Sequence, residues 1–323
     1  MRQPVSRALV LVTCISLTYF ATAQESIGPR NWSWPDGDER GAGNLITAAS
    51  ILDALAQVKT GEVIELSHEV AQGAPHIPGL QPPYVFSMYL NAPRFVQMAR
   101  EHMGATNGIG VNLERIELTT HVGTHIDALG HITIRDEMYN GVSESVGVLD
   151  QGLQHAGIEK APPFIARAVL IDVAAYRGVS LLKPGFAIQP DDLEGALRRQ
   201  GVTIRKGVIA LIHTGSHKTF LENPVQHADT TPGISMAAAR WLSSRKVVAV
   251  GADNHAIEVL PGEDPKLAFP VHQHLIVNQG IYLIENMKLD VLADRKINES
   301  TLIMLPAKFR GATGSPVRVI ALL

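Results

Sequence analysis

Residues 120–131 have the sequence THVGTHIDALGH, which places three histidines and one aspartate within eleven positions. The candidate side chains are His121, His125, Asp127 and His131. Imidazole and carboxylate groups are the ligands that divalent transition metals prefer in proteins. Histidine makes up only 13 of the 323 residues, so this density indicates a metal site rather than a chance group of structural or surface histidines.

The residues leading into this stretch alternate between apolar and polar side chains. Over positions 115–122 this alternation predicts a half-buried strand with His121 on its polar face. In a straight strand, which rises about 3.3 Å per residue, His121 and His125 would lie about 13 Å apart at Cα, and Asp127 would be out of reach. One ion can contact all three only if the chain bends. We expect the bend at Gly123, because glycine accepts backbone angles that other residues avoid.

The last histidine of the stretch has a different expected role. His131 follows Asp127 by four residues, about one helical turn, so it is expected beside the carboxylate without being a required ligand. The stretch lacks the His-Glu-x-x-His pattern of zinc peptidases, so that mechanism is not implied. The expected chemistry is hydrolysis of an amide, lactam, lactone or ester by metal-activated water, with His131 as general acid and base.

The signature of the cyclase family of metal-dependent hydrolases resembles the pattern His121-x-Gly123-Thr124-His125-x-Asp127-x-x-x-His131. This family includes bacterial kynurenine formamidase and isatin hydrolase. Its pattern has a proline where this chain has Leu129, which leaves the ligands intact but weakens any transfer of the detailed pocket shape. The resemblance implies a manganese or zinc ion, a homodimer or larger assembly, and a swivelling β/β/α fold.

The resemblance also implies a substrate class. Small cyclic or N-acyl aromatic compounds are expected, with ring opening of an isatin-like lactam as the first candidate. Kynurenine formamidase activity is the main alternative, followed by ester or lactone hydrolysis. An exported protein that binds a metal or a small molecule without turnover is an alternative of another class.

Further ligands are implied late in the chain. His272 and Glu285 resemble a histidine and a strand-ending glutamate of the family, although one extra residue before that strand leaves His274 as a rival. A glutamate after so apolar a run would be costly to bury without a partner, and a cation would supply one. By the resemblance, these residues form a second metal position with Asp127 as the bridge, so that the chain binds one or two ions.

The N-terminal residues 1–23 predict a cleaved secretory signal. A basic start is followed by an apolar run from Ala8 to Phe20 that is too short to span a membrane, and polar residues follow. A retained N-terminal anchor is the alternative. Cleavage would remove Cys14, the only cysteine, which excludes cysteine ligands and nucleophiles. We expect residues 24–323 to form one periplasmic or secreted domain without disulfides and without membrane attachment.

The charge balance of the mature chain is weakly acidic. Without Arg2 and Arg7, 26 basic residues remain against 31 acidic ones. This balance gives no indication of a nucleic acid or of an anionic membrane surface as a partner. A small-molecule substrate is the expected partner.

Apolar strand-like runs alternate with helical stretches in the rest of the chain. This order predicts an α/β domain with a mixed sheet, strands buried on both faces and flanking helices. No linker or repeat is visible, so one domain is expected. The predicted strands lie at 63–68, 167–173, 207–213, 247–251, 280–285, 301–305 and 316–323, and the predicted helices at 47–61, 189–201 and 236–242.

Several other polar residues are weaker candidates. His68 and His76 are interpreted as structural rather than as site residues. Ser216 beside His217 lacks the Gly-x-Ser-x-Gly pattern of a serine nucleophile. Asp253 is interpreted as a helix cap, with a role in holding a metal ligand as the alternative.

Two segments give no clear pattern of secondary structure. Residues 31–44 are too rich in glycine, proline and aspartate for regular structure, and packing against the domain is the preferred interpretation of Trp32 and Trp34. Residues 80–110 lack periodicity and are expected to form a lid, a pocket wall or a surface loop.

Overall fold

The computed structural model describes residues 34–323. The predicted signal at 1–23 and Trp32 lie outside the described residues. The strands are β1 (Val63–Glu65), β2 (Val85–Leu90), β3 (Leu113–Glu117), β4 (His125–Asp127), β5 (Val148–Leu149), β6 (Gly152–Leu153), β7 (Phe164–Asp172), β8 (Ala187–Ile188), β9 (Ile209–His213), β10 (Gly233–Ile234), β11 (Ala249–Ala252), β12 (Tyr282–Glu285), β13 (Glu299–Met304), β14 (Gly314–Pro316) and β15 (Val319–Leu322).

Helical segments of three kinds connect these strands. The α-helices span Ala48–Leu55, Ala92–Met103, Glu144–Gly147, Val173–Tyr176, Pro190–Gln200, Thr219–Glu222, Pro224–Asp229, Met236–Ser244, Pro270–His272 and Asp290–Asp294. The 3-10 helices span Gly41–Leu45, Tyr139–Gly141, Ile158–Lys160 and Ser216–Lys218. A π-helix spans Gln273–Asn278. Within residues 34–323, no helix combines the length and the apolar character needed to cross a membrane.

The centre of the fold is a nine-stranded sheet with the order β1-β15-β13-β7-β9-β11-β12-β4-β14. Strands β7, β9, β11 and β12 are parallel, and the strands on either side pair antiparallel. This arrangement confirms the predicted α/β class with a mixed sheet flanked by helices. Because the four parallel strands point the same way, their carboxyl ends share one edge of the sheet, where sites are commonly built.

The parallel strands are apolar because both of their faces are covered. Every residue of β9, β11 and β12 is buried, as expected for parallel strands between layers of helices. Apart from Arg167 within β7, the charged residues and histidines of these strands lie where the strands end, at Asp172, His213 and Glu285, and Asp253 directly follows β11.

Capping residues and a proline determine where two of the predicted helices begin. The first begins after Thr47, whose side chain accepts a hydrogen bond from the Ser50 backbone in a capping box. It ends at Leu55 instead of continuing toward Gly61. The second begins at Pro190 and ends before Gly201, which takes a left-handed conformation.

The expectation of a half-buried strand before His121 was wrong, and the two segments without a clear pattern contain regular structure. The alternation before His121 produces β3, but every residue of β3 is exposed, and the strand pairs with β2 in a separate two-stranded sheet. Among residues 34–323, nothing buries the apolar side chains of β3, and Leu113 and Ile116 are exposed. Residues 80–110 contain β2 and the helix Ala92–Met103, which Asn91 caps. Residues 31–44 include the start of the 3-10 helix Gly41–Leu45.

Candidate metal centre

A bend between two short segments brings the first three candidate ligands together. Gly123 has a φ of 62°, in the left-handed region that favours glycine. A Cβ at this position would lie 2.6 Å from Cγ2 of Val70, so the turn also needs the absence of a side chain. The expected bend at Gly123 is confirmed. After it, His125 and Asp127 occupy alternate positions of β4 and point to the same face.

The three side chains meet at short distances. His121 Nδ1 lies 2.9 Å and His125 Nε2 lies 3.7 Å from Oδ1 of Asp127. His125 Nδ1 lies 2.9 Å from the carbonyl oxygen of Gly123. A carbonyl only accepts, so Nδ1 carries the proton and Nε2 turns a lone pair toward the carboxylates. His121 is held on its other side by Thr313 Oγ1, 2.8 Å from Nε2.

The later part of the chain completes the cluster through the sheet. β12 runs antiparallel to β4 with Glu285 opposite His125, and Oε2 of Glu285 lies 3.3 Å from His125 Nε2. His272 Nε2 lies 3.1 Å from Oε1 of Glu285 and 3.6 Å from Oδ2 of Asp127. Its rival His274 contacts Ser243 Oγ at 2.9 Å. The structure therefore brings His272, and not His274, to the cluster.

Glu258 is a site residue that the sequence interpretation missed. Its Oε1 lies 2.7 Å from His272 Nδ1 and also accepts the backbone N–H of His272 at 3.0 Å. The carboxylate fixes the ring so that Nε2 faces Glu285 and Asp127. A carboxylate behind a metal-binding histidine is a common supporting arrangement. Only the fold reveals this pair, because Glu258 and His272 belong to separate segments.

His131 lies at the side of the cluster, with one nitrogen within 4.8 Å of ligand atoms of His121 and Asp127. Its ring stacks on that of His121 with centroids 4.1 Å apart, and its centroid is 6.5 Å from that of His272. Loss of water around the ring lowers the pKa of His131 to about 3; His121 and His272 add to this effect and Asp127 opposes it. The ring is therefore unprotonated near neutral pH.

The carboxylates are buried and ionised. Burial alone would raise the pKa of Glu285, but hydrogen bonding to His125 and His272 outweighs it and lowers the pKa to about 2. The pKa of Asp127 is lowered as well, since His131, His121 and His125 outweigh its burial. Asp127 is 1% exposed, yet neither of its oxygens has a hydrogen bond of normal geometry.

A buried, ionised carboxylate without hydrogen bonds calls for a positive charge beside it. Two triplets in the cluster, His121–Asp127–His131 and Asp127–His272–Glu285, have ligand atoms within 4.8 Å of one another. Histidine nitrogen and carboxylate oxygen are donors suited to zinc and manganese. The residues therefore fit a divalent metal ion.

The weaker candidates lie apart from this cluster. His68 stacks on Phe220 with centroids 4.0 Å apart, and His76 contacts the carbonyl oxygen of Ala74 at 3.3 Å, so neither contacts the candidate ligands. Trp34 packs against the hydrophobic core, in line with its preferred interpretation.

The other two candidates are Ser216, in the 3-10 helix after β9, and Asp253, directly after β11. Ser216 Oγ lies 2.7 Å from Thr214 Oγ1, while His217 lies beside Asp253, so no serine–histidine pair forms. The interpretation of Asp253 as a helix cap was wrong. Its carboxylate accepts the backbone N–H groups of Thr214 and Gly215 and so fixes this turn.

The fold and the cluster define an α/β protein whose mixed sheet carries a buried group of histidines and carboxylates that fits a divalent metal ion. Comparison with known proteins identifies the family to which this chain belongs. The Cyclase family model matches residues 64–259, which is more than half of the chain. The chain belongs to the cyclase family of metal-dependent hydrolases.

Individual relatives agree with this assignment. Kynurenine formamidase of Bacillus thuringiensis strain Al Hakam is 27% identical over 263 residues, which are 81% of this chain and 98% of the relative. The crystal structure of a novel cyclase superposes with a TM-score of 0.82 at 29% identity and covers 92% of this chain and 99% of its own. Isatin hydrolase A from Labrenzia aggregata, bound to benzyl benzoate, has the same fold, with a TM-score of 0.59, 21% identity and coverage of 84% and 97%.

Proposed function

We propose that this protein hydrolyses an amide C–N bond in a small cyclic or N-acyl aromatic compound, with ring opening of an isatin-like lactam as the first candidate. The observation that carries the proposal is the buried Asp127 carboxylate, whose oxygens lack hydrogen bonds, beside the unprotonated ring of His131. Hydrolysis of this kind needs a metal ion and a base. The Asp127 carboxylate can bind the metal ion, and the neighbouring His131 ring can act as the base.

The ligand atoms suit one or two divalent ions, manganese or zinc. His121, His125 and Asp127 would hold the first ion. His272 and Glu285 would hold the second, with Asp127 shared between them, because its two oxygens face different histidines. When bound, such an ion lowers the pKa of a coordinated water and polarises a carbonyl oxygen.

The remaining steps belong to the side chains of the protein. His131 accepts the proton of the attacking water and returns it to the leaving nitrogen, which departs as an amine once protonated. Glu258 and the Gly123 carbonyl each receive an Nδ1–H, from His272 and His125 respectively, and so keep both Nε2 atoms aimed inward.

Hydrolysis of an arylformamide is the second candidate. It is favoured by the similarity to kynurenine formamidases, which extends over 98% of the relative's length. Ester or lactone hydrolysis would use the same groups. A comparison of kcat/KM for isatin, an N-formyl aniline and an aryl ester separates these substrates.

Replacement of His131 tests whether the protein is a catalyst or only binds its ligands. We expect His131→Ala to lower kcat by about 10²- to 10⁴-fold, the usual contribution of a general base, while the metal content per chain stays the same. The matched control is His102→Ala, at an exposed position of the helix Ala92–Met103. If the metal-loaded protein cleaves none of the three substrate types, it is a binding protein and the proposal fails.

We further propose that the protein is exported and forms a homo-oligomer. Export is supported by the composition of residues 1–23, and intact-mass measurement of the protein from the periplasm or medium should show their loss. Association of two copies is supported by large exposed apolar side chains on β2 and β3, among them Phe86, Tyr89 and Ile116. A monomer in sedimentation equilibrium would contradict it.

A further inference from the structure

We propose that His213, His217 and Asp253 form an additional zinc-type metal site, separate from the centre around Asp127. His213 is the last residue of β9, His217 lies in the 3-10 helix Ser216–Lys218 that follows it, and Asp253 comes directly after β11. One nitrogen of each histidine and one oxygen of Asp253 lie within 4.8 Å of one another. None of the three has a part in the proposed hydrolysis.

The distances match what a tetrahedral ion needs. With bonds of about 2.1 Å, two ligands of a tetrahedral zinc ion are about 3.4 Å apart. Oδ2 of Asp253 lies 3.6 Å from His217 Nδ1 and 3.8 Å from His213 Nε2. These separations are too long for hydrogen bonds and exceed the metal-bridged value by only a few tenths of an ångström.

The histidine nitrogens that face Asp253 lack other partners. His213 is 7% exposed, and its Nε2 has no hydrogen bond among the described residues. Nδ1 of His217 also has no hydrogen bond among the described residues. Buried polar atoms are normally paired, so two unpaired nitrogens turned toward one carboxylate indicate a ligand between them.

Asp172 prepares His213 for this role. Its Oδ1 lies 2.8 Å from His213 Nδ1, and a carboxylate can only accept there, so the ring proton is on Nδ1. In the neutral form of the ring, which is the form that binds a metal, the lone pair is then on Nε2, which faces Asp253. Carboxylate–histidine–metal chains have this arrangement, and His272 with Glu258 repeats it in the other centre.

Asp253 supplies the negative charge. It is completely buried, and three donors from Thr214 and Gly215 hold its carboxylate in place. A cavity of about 220 Å³ lies over the cluster and is also lined by Asp172 and Asp290. One oxygen of Asp290 is buried without a hydrogen bond. The cavity gives an ion a path from solvent and leaves room for water or a small ligand at the remaining coordination position.

Zinc binding to the full-length protein tests this site. After removal of metals with a chelator, the wild type and the double variant His213→Ala/His217→Ala would be dialysed against zinc, and bound zinc counted by mass spectrometry. We expect one zinc ion fewer per chain in the double variant. This difference does not depend on how many ions the first centre holds. His102→Ala, which changes an exposed histidine, should match the wild type.

A milder variant keeps the site testable if the double variant fails to fold. Asp172→Asn keeps the shape of the side chain but weakens its hold on His213, and we expect the affinity for this zinc ion to fall about 10- to 100-fold. A purely structural ion pair between Asp172 and His213 would leave zinc binding unchanged. Equal zinc counts and affinities in the wild type and Asp172→Asn, or in the wild type and a folded double variant, would overturn the proposal.

Discussion

At the scale of single residues, the orientation of the ligand rings depends on side chains behind them. His272 is the clearest case, because Glu258 contacts both its ring and its backbone. Glu258 is 2% exposed, so it exchanges little with water and holds the ring firmly. Removing its charge should disturb metal binding without removing a ligand.

We predict that Glu258→Gln lowers metal affinity by about 10- to 100-fold, the usual effect of losing such a supporting carboxylate. The amide lacks the charge that favours an Nδ1–H donor on His272. Isothermal titration with zinc or manganese measures the effect. Glu222→Gln, at an exposed position, is the control. Unchanged affinity in Glu258→Gln would contradict this supporting role of the Glu258 charge.

The sequence predicts the centre well at this scale because its first ligands are close along the chain. His121, His125 and Asp127 need only one bend to meet. His272 and Glu285 were recognised through family resemblance, and the structure brings them to the same place. Glu258 and Thr313 carry no local pattern, since their contacts depend on how distant segments pack.

At the scale of elements, the turn before β4 decides whether the ligands converge. Gly123 combines a left-handed backbone with a neighbour, Val70, too close for a Cβ. The sequence predicted this bend from the residue type alone. It failed for β3 because alternation indicates a strand but does not show whether another layer covers it.

We predict that Gly123→Ala lowers the free energy of unfolding by about 1–2 kcal/mol through backbone strain and also weakens metal binding by displacing His121 or His125. Gly73→Ala is the matched control, since Gly73 has a φ of 87° and a Cβ there would meet nothing within 4 Å. It should show a similar loss of stability with normal metal binding. Chemical denaturation and metal titration measure the two effects. Equal metal affinity in both variants would contradict this role of the turn.

At the scale of the whole molecule, the carboxyl ends of the parallel strands bring polar residues together at one edge of an apolar sheet. Asp172, His213, Asp253 and Glu285 end or follow four adjacent strands. The alternation of strands and helices predicted such an edge, but strand order was needed to show which residues become neighbours. His68, a half-buried histidine near this edge, has a lowered pKa and is therefore neutral near neutral pH.

The contribution of His68 to folding stability should therefore fall in mild acid. Burial, with His227 and His217 nearby, lowers the pKa of His68 to about 4 from its ordinary value of 6.5. The unfolded chain takes up a proton below pH 6.5 and the folded chain only near pH 4, so stability decreases as pH falls through this window. At pH 5 the loss from His68 is about 2 kcal/mol.

The variant His68→Gln removes this titration. We predict a smaller decrease in the free energy of unfolding between pH 7 and pH 5 than in the wild type, measured by urea denaturation of metal-free protein. His102→Gln should follow the wild type. Parallel pH profiles for His68→Gln and the wild type would show that the ring is not held neutral.

Anomalous X-ray diffraction from crystals loaded with zinc or manganese tests the central claim most directly. We predict one or two strong peaks about 2.0–2.2 Å from the ligand atoms, bounded by the histidines at 121, 125 and 272 and the carboxylates of Asp127 and Glu285. A loaded crystal with no peak among these five side chains would contradict the metal centre and the hydrolysis proposed for it.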